Sequence, residues 1–351
     1  MTRVTVRART DLGRTRDHNE DTFLVADLTA RSTDLADQGP HEVGPRGSLF
    51  LVADGMGGAA AGELASSMAA DLIFRHLSES WSQEPDVSPE RFTWHLRQAV
   101  ERANEHIHSY SSEHPDVRGM GTTATVVGVL GSSLYLAQVG DSRGYLVRQG
   151  VATQLTKDQS LMQRLVDAGE LTEEEAAQSE RRNIILQALG PDAKVRVDLT
   201  FQELHRGDTL VICSDGLSGQ VKREEIGELV VRHPDLDALC DHLITLANER
   251  GGPDNITAVV ARFDGDGLPP PDGIGEVGYQ VVPGVETPNE GTPVARQAPP
   301  PPIPEPVPHE EPAEEALPVV RGEGLPPTTM AAIGTALFLI IALLLFLLFR
   351  G

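Results

Sequence analysis

Four aspartates stand where an apolar run meets glycine or another small residue: Asp54 in VADGMGG, Asp141 in VGDSRG, Asp215 in ICSDGLS and Asp254 in GGPDNIT. A carboxylate at the point where a strand leaves the core is held in position yet open to solvent. Several of them meeting at one end of a fold repel one another unless a cation neutralises them. Hard divalent ions such as Mg²⁺ and Mn²⁺ favour such a set of carboxylate, carbonyl and water oxygens. The glycine after Asp54, Gly55, lets a backbone carbonyl approach the same ion. Asp-Gly is also a common turn pair, so each aspartate taken alone reads better as punctuation, and the set of four carries the argument. A further cluster, Gly13, Arg16, Asn19, Glu20 and Asp21 in TDLGRTRDHNED, precedes the apolar run Phe23 to Ala26. Arg16 offers a planar, permanently charged fork for a phosphate, or an ion pair with Glu20 or Asp21 on a solvated turn.

Charge narrows the partners. The chain has 351 residues with a formal net charge of −23, and residues 264 to 327 hold 12 acids, two arginines and 17 of the 25 prolines. A sequence-independent nucleic-acid binder needs a basic surface to replace condensed counterions, so the charge argues against that class. A metal ion or a positively charged partner fits better. The two cysteines, Cys213 and Cys240, match neither a disulfide framework nor a zinc spacing and read as thiols in a reducing compartment.

The elements that must position the carboxylates follow from hydrophobic period. Ser48 to Asp54 is a short apolar strand ending in a glycine-rich turn. Leu64, Met68 and Leu72, then Leu96, Val100, Ala103 and Ile107, recur at helical spacing and predict two long helices. Thr123 to Leu130, Leu134 to Val139 and Gly144 to Arg148 are joined by connections too short for a parallel crossover and are expected to form an antiparallel meander. Strands at 208 to 214 and 255 to 263 enclose helical patterns near 222 to 231 and 236 to 249. Between Lys157 and Asn183 the sequence predicts a short helix ending at Gly169 and a capping box at Thr172 to Glu175. Blocks of helices around antiparallel strands mean an α+β layered fold.

GRTRDHNED, VADGMGG, GMGTTAT, VGDSRGYL, LTKDQS, RRNIILQALG, LVICSDGLS and GGPDNITAVV occur in the order and approximate spacing of the protein phosphatase 2C (PPM) family, and residues 1 to 263 resemble its bacterial members. The resemblance implies a four-layer α-β-β-α sandwich of two antiparallel sheets flanked by helices, with a binuclear Mn²⁺ or Mg²⁺ site at one end. It implies hydrolysis of protein phosphoserine and phosphothreonine by a water bridging the two ions. On the same resemblance Asp54 bridges the metals, and Gly55 offers its carbonyl to the second. Asp215 and Asp254 complete the first, and Asp21 with Glu20 reaches the second through water. Asp141 matches a ligand of a third, weaker ion, and Arg16 the arginine that holds the substrate phosphate. The pattern departs at Met56, where animal members carry a histidine assigned general-acid work, and at Gln159, where many relatives have histidine. Cys213 stands beside the metal strand but within an apolar run, which reads as an inert buried thiol. Two other readings fit less well. One is a phosphoprotein-binding relative without activity, although all the matching aspartates are filled. The other is a binuclear hydrolase of small phosphoesters, although no P-loop or histidine-rich cluster is present.

The chain is expected to divide into a phosphatase domain (1–263), a disordered proline-rich acidic linker (264–327) and a transmembrane helix (328–349). Thr328 to Phe349 carry no charge, and 22 residues make a helix about 33 Å long, enough for a hydrocarbon core of about 30 Å. Met1 to Gly13 lack the apolar stretch of a secretory signal, so the catalytic domain is expected in the cytoplasm, held at the membrane by one span. Phosphorylated proteins are the expected partners, and tethering adds a membrane Ser/Thr kinase and its substrates.

Overall fold

A computed structural model describes residues 1–271 and 276–283. In chain order the elements are β1 (Arg3–Asp11), β2 (Asp21–Asp27), β3 (His41–Glu42), β4 (Ser48–Met56), α1 (Ala59–Glu79), α2 (Pro89–Glu113), β5 (Gly121–Thr122), β6 (Ala124–Leu130), β7 (Ser133–Val139), β8 (Arg143–Arg148) and β9 (Val151–Gln154). They continue with α3 (Leu161–Asp167), α4 (Glu173–Gln178), β10 (Asp198–Glu203), β11 (Thr209–Cys213), α5 (Asp215–Ser218), α6 (Arg223–Arg232), α7 (Leu236–Glu249) and β12 (Ile256–Asp264). One sheet has the order β3-β1-β12-β11-β8-β9, the other β10-β7-β6-β4-β2 with β5 paired to β4, and neighbouring strands run antiparallel.

The apolar strands are buried on both faces, which is why they read as continuous hydrophobic runs. In β4, Leu49, Leu51 and Ala53 face a core shared with α1 and α2, while Phe50 and Val52 face the core between the sheets. In β12 the same alternation sends Ala258 and Val260 toward α6 and α7, and Val259, Ala261 and Phe263 inward. Helices therefore cover both outer faces, giving the expected α-β-β-α sandwich. Helix starts are chemically marked: the Ser88 hydroxyl accepts the Arg91 N–H with Pro89 in the first turn, and Asp235 accepts the Ala238 N–H at 2.8 Å. The capping box at Thr172 and Glu175 is formed on both sides.

Two features differ from the sequence expectation. The meander stops at β7: β6 and β7 pair with each other, but β8 joins the opposite sheet beside β11. Gly140, Asp141 and Ser142 make a corner between sheets, and a corner this short is indistinguishable from a hairpin turn by length. Packed chain also continues past residue 263. Leu268 is 3 % exposed in the inter-sheet core, and Val282 is 8 % exposed beneath β10. Residues 276–283 line the open edge of β10, where Phe201 N–H donates to Gln280 O at 2.9 Å and Val282 N–H donates to Leu199 O at 3.1 Å. An edge strand carries unpaired backbone groups, and this apolar stretch satisfies part of them. Most of the expected linker and the whole span 328–349 lie outside the described residues. Among the described residues no helix is long and apolar enough to cross a membrane.

Candidate metal centre

Strand pairing alone brings the first two carboxylates together, because Asp21 opens β2 and is the register partner of Asp54 on β4. Asp54 is fixed through its backbone. Its N–H donates to Thr123 Oγ1 at 2.9 Å, and its carbonyl accepts from Thr123 N–H at 2.9 Å and Thr122 Oγ1 at 3.0 Å. Thr123 Oγ1 in turn meets Ser142 Oγ at 2.8 Å, which ties the β4 end to the corner holding Asp141. From the other sheet, β11 ends at Cys213 and Asp215 opens α5. Between them, Ser214 Oγ donates to Asp21 Oδ2 at 2.7 Å and accepts the Thr257 N–H at 3.0 Å.

The N-terminal loop is fastened to the start of β12. Asn255 Oδ1 accepts the Glu20 N–H at 2.8 Å, and its Nδ2 donates to the carbonyls of Leu12 and His18, each at 2.9 Å. Gly13 has φ +81°, and a Cβ there would stand 2.1 Å from the Asp254 carbonyl oxygen, so only glycine allows the loop this close. Gly55 is equally confined: a Cβ would stand 2.2 Å from the Gly62 carbonyl oxygen. Its N–H donates to Glu20 O at 3.1 Å. Arg16 Nη2 donates to Asp254 Oδ2 at 2.7 Å, so the ion pair of the candidate phosphate fork is with Asp254 rather than with Glu20 or Asp21.

Burial and mutual repulsion dominate the electrostatics. Burial, then the fields of Asp215 and Asp254, push the Asp21 carboxyl up to about 7 against the hydrogen bonds from Thr257 and Ser214. Burial, then Asp215 and Asp158, push Asp141 up to about 8. Asp54 is raised well above the carboxylate range by burial and by Asp21, Asp215, Asp141 and Asp254, and Asp215 is raised by burial and Asp254. Asp21 Oδ1 and Asp141 Oδ1 are buried without a hydrogen-bond partner. Among the described residues no three His, Cys, Asp or Glu side chains close on a single point, so the carboxylates feel one another while Asp254 is engaged by Arg16 and Asp21 by Ser214. Orphaned buried carboxylate oxygens and an all-oxygen donor set fit hard divalent cations, which keep several waters and need few protein ligands each.

A family model described as protein phosphatase 2C matches residues 31–260. The chain is 39% identical over 258 residues to the serine/threonine phosphatase stp of Listeria monocytogenes, covering 73% of this chain and 94% of that one. It belongs to the protein phosphatase 2C family. Solved structures of that phosphatase class are similar along the same stretch. The Mycobacterium tuberculosis serine/threonine phosphatase PstP/Ppp aligns with a TM-score of 0.63 at 37% identity over 75% of this chain and 100% of that one. The catalytic domain of PstP in complex with two manganese ions aligns with a TM-score of 0.62 at 36% identity over 76% and 100%. This protein phosphatase 2C member is thus a metal-dependent protein serine/threonine phosphatase, a hydrolase with two divalent ions as its cofactor. The matched span holds Asp54, Asp141, Asp215 and Asp254, while Arg16, Glu20 and Asp21 precede it.

Ser214, Thr123 and Asn255 are supporting residues that motif reading passes over, because small polar residues beside Asp and Gly look like turn chemistry. The signal available was adjacency to the aspartates, nothing more. Cys213 is completely buried and burial pushes its thiol up to about 12, in keeping with an inert role. Met56 and Glu20 are half-buried beside the site, and His18 is exposed.

Proposed function

We propose that the serine/threonine phosphatase activity of this chain resides in the Asp21, Asp54, Asp215 and Asp254 cluster. In this reading Asp54, Asp215, Asp254 and the Gly55 carbonyl would hold two divalent ions, with Asp21 and Glu20 supporting the second. Asp141 serves a third ion. When bound, the pair of ions supplies Lewis acidity and a water acidified toward neutral pH. The observation that carries the reading is the pairing of Asp21 with Asp54 in register, joined to the Asp215 turn through the Ser214 hydroxyl. Manganese-dependent hydrolysis of a phosphothreonine peptide, abolished by chelator, is its direct test.

The protein's own groups then have defined tasks. Arg16 is half-exposed and held at the site mouth by Asp254, so a phosphoryl dianion entering there competes for the same guanidinium. A guanidinium can keep Asp254 on one nitrogen while presenting others to phosphate oxygens; an ammonium has no such fork. Arg16→Ala is expected to lower kcat/KM about 10- to 100-fold, in line with a charge-assisted hydrogen bond, and Arg16→Lys to recover only part of it. Steady-state kinetics on the phosphothreonine peptide measures this; unchanged KM and kcat in Arg16→Ala would remove Arg16 from phosphate binding. Met56 carries no dissociable proton, so the leaving oxygen cannot be protonated from this position.

We further infer that residues 328–349 anchor the enzyme in a membrane with its catalytic domain on the cytoplasmic side. The uncharged apolar run of 22 residues after an acidic, proline-rich stretch supports this, and two free buried cysteines suit a reducing compartment. Tethering confines the enzyme to a thin layer and raises its effective concentration against membrane-bound phosphoproteins, a Ser/Thr kinase among them. In fractionated cells the full chain should resist carbonate extraction from membranes, and a chain lacking residues 328–351 should be extracted. Recovery of the full chain in the soluble fraction would defeat the anchor, and undiminished turnover of membrane phosphoproteins by the shortened chain would defeat the kinase-layer reading.

A further inference from the structure

Gln159 is 6 % exposed and uses both its backbone and its side chain on one neighbour. Its backbone N–H donates to the Gly140 carbonyl at 2.9 Å, and its Oε1 accepts the Gly140 N–H at 3.0 Å. Gly140 is therefore gripped at both peptide groups by a single residue. The Gln159 Nε2 donates onward to Asp198 Oδ2 at 2.9 Å and to the Arg196 carbonyl at 3.3 Å, while its own carbonyl accepts the Leu186 N–H at 2.7 Å. Gly140 has φ +101°, with Thr123 so close that a Cβ would stand 2.6 Å from its Cγ2. The corner thus has little freedom of its own, and the residue that follows is Asp141, whose Oδ1 is buried and unpartnered.

We propose that Gln159 is a positioning residue for Asp141: its amide locks the Gly140 corner against Asp198 on β10 and so sets where the Asp141 carboxylate points. The inference rests on the reading of Asp141 as a ligand of an outer divalent ion. The planar amide offers an acceptor to the Gly140 N–H and a donor to the Asp198 carboxylate on one head. Glutamate keeps the first bond and sets two carboxylates against each other in a buried place; leucine keeps neither bond. Changing both partners, Gln159→Glu with Asp198→Asn, restores the bond between positions 159 and 198 with donor and acceptor exchanged, while the longer donation to the Arg196 carbonyl is not recovered. The Asp198 ion pair with half-exposed Arg196 is lost in that variant at small cost.

The test is a Mn²⁺ titration of the chelator-stripped full chain, following free Mn²⁺ by electron paramagnetic resonance, with folding checked by circular dichroism. Asp141→Asn should remove one weak class of sites. Gln159→Glu and Gln159→Leu should weaken that class alone by about tenfold, the usual scale for a residue supporting a ligand. The Gln159→Glu/Asp198→Asn double variant should return to within about threefold of the parent, the coupling that a double-mutant cycle reads. Should Gln159→Glu fail to fold, Asp198→Ala, which removes the amide's anchor along with the half-exposed Arg196 ion pair, must show the same selective weakening. Folded Gln159 variants that bind Mn²⁺ like the parent, or a double variant no better than Gln159→Glu, would overturn the proposal. If Asp141→Asn removes no class, the reading of Asp141 itself fails and the role of Gln159 falls with it, an outcome visible separately.

Discussion

Asp54→Asn is expected to reduce manganese-dependent hydrolysis of a phosphothreonine peptide by about three orders of magnitude or more, because Lewis-acid stabilisation worth several kcal/mol is lost with the shared ligand. The same change should leave the protein in chelator as stable as the parent or more so. Burial and four neighbouring aspartates hold the Asp54 carboxyl well above its ordinary range, so the fold opposes the charge that asparagine removes. Its shape and its backbone bonds to Thr122 and Thr123 are kept. Loss of activity without loss of metal-free stability separates a ligand from a structural carboxylate, since breaking a structural hydrogen bond network would cost both. Peptide hydrolysis at saturating Mn²⁺ and thermal melts in chelator decide the matter. Turnover within tenfold of the parent would remove Asp54 from the centre, whereas activity lost together with a lower melting temperature would make its role structural.

How much of this site is legible in the sequence depends on what kind of contact makes it. Asp54, Asp215 and Asp254 announce themselves because their strands are buried on both faces, so the point where apolar residues give way to Asp and Gly marks a strand end. Neither the corner at Gly140 nor the strap on β10 is visible in that way. Three residues between β7 and β8 suit a hairpin as well as a change of sheet, and only the packing of β8 against β11 decides. Residues 276–283 are masked by their surroundings: a count over residues 264 to 327 is dominated by proline and acid, and the short apolar EVGYQVV run disappears in it. Gln159 shows a third limit. In the sequence it registers as a departure from a familiar motif, while its hydrogen bonds join segments far apart in the chain and leave no local pattern.

The buried carboxylates also make metal-free stability fall as pH rises. Asp21 is raised from 3.8 to about 7 and Asp141 from 3.8 to about 8, so over this interval the folded chain holds protons that the unfolded chain has released. A folded-state value above the unfolded one gives stability that is complete below about pH 4 and is lost as pH climbs through 7 and 8, at up to about 1.4 kcal/mol per pH unit for each such group. A bound divalent ion favours the ionised form, so its binding must expel those protons and its stabilising effect must grow with pH. In chelator the melting temperature should therefore be higher at pH 5.5 than at pH 8, and the increment on adding Mn²⁺ should be larger at pH 8. Calorimetric titration with Mn²⁺ in two buffers of different ionisation enthalpy should show proton release near pH 7. The net charge of −23 produces a slope of the same sign through general repulsion, so the control is Asp141→Asn in chelator, which removes one contributor while changing the total charge little. A flatter pH dependence in that variant assigns the slope to the centre; an identical slope, with no proton release on Mn²⁺ binding, would mean that these carboxylates are already ionised in the folded protein.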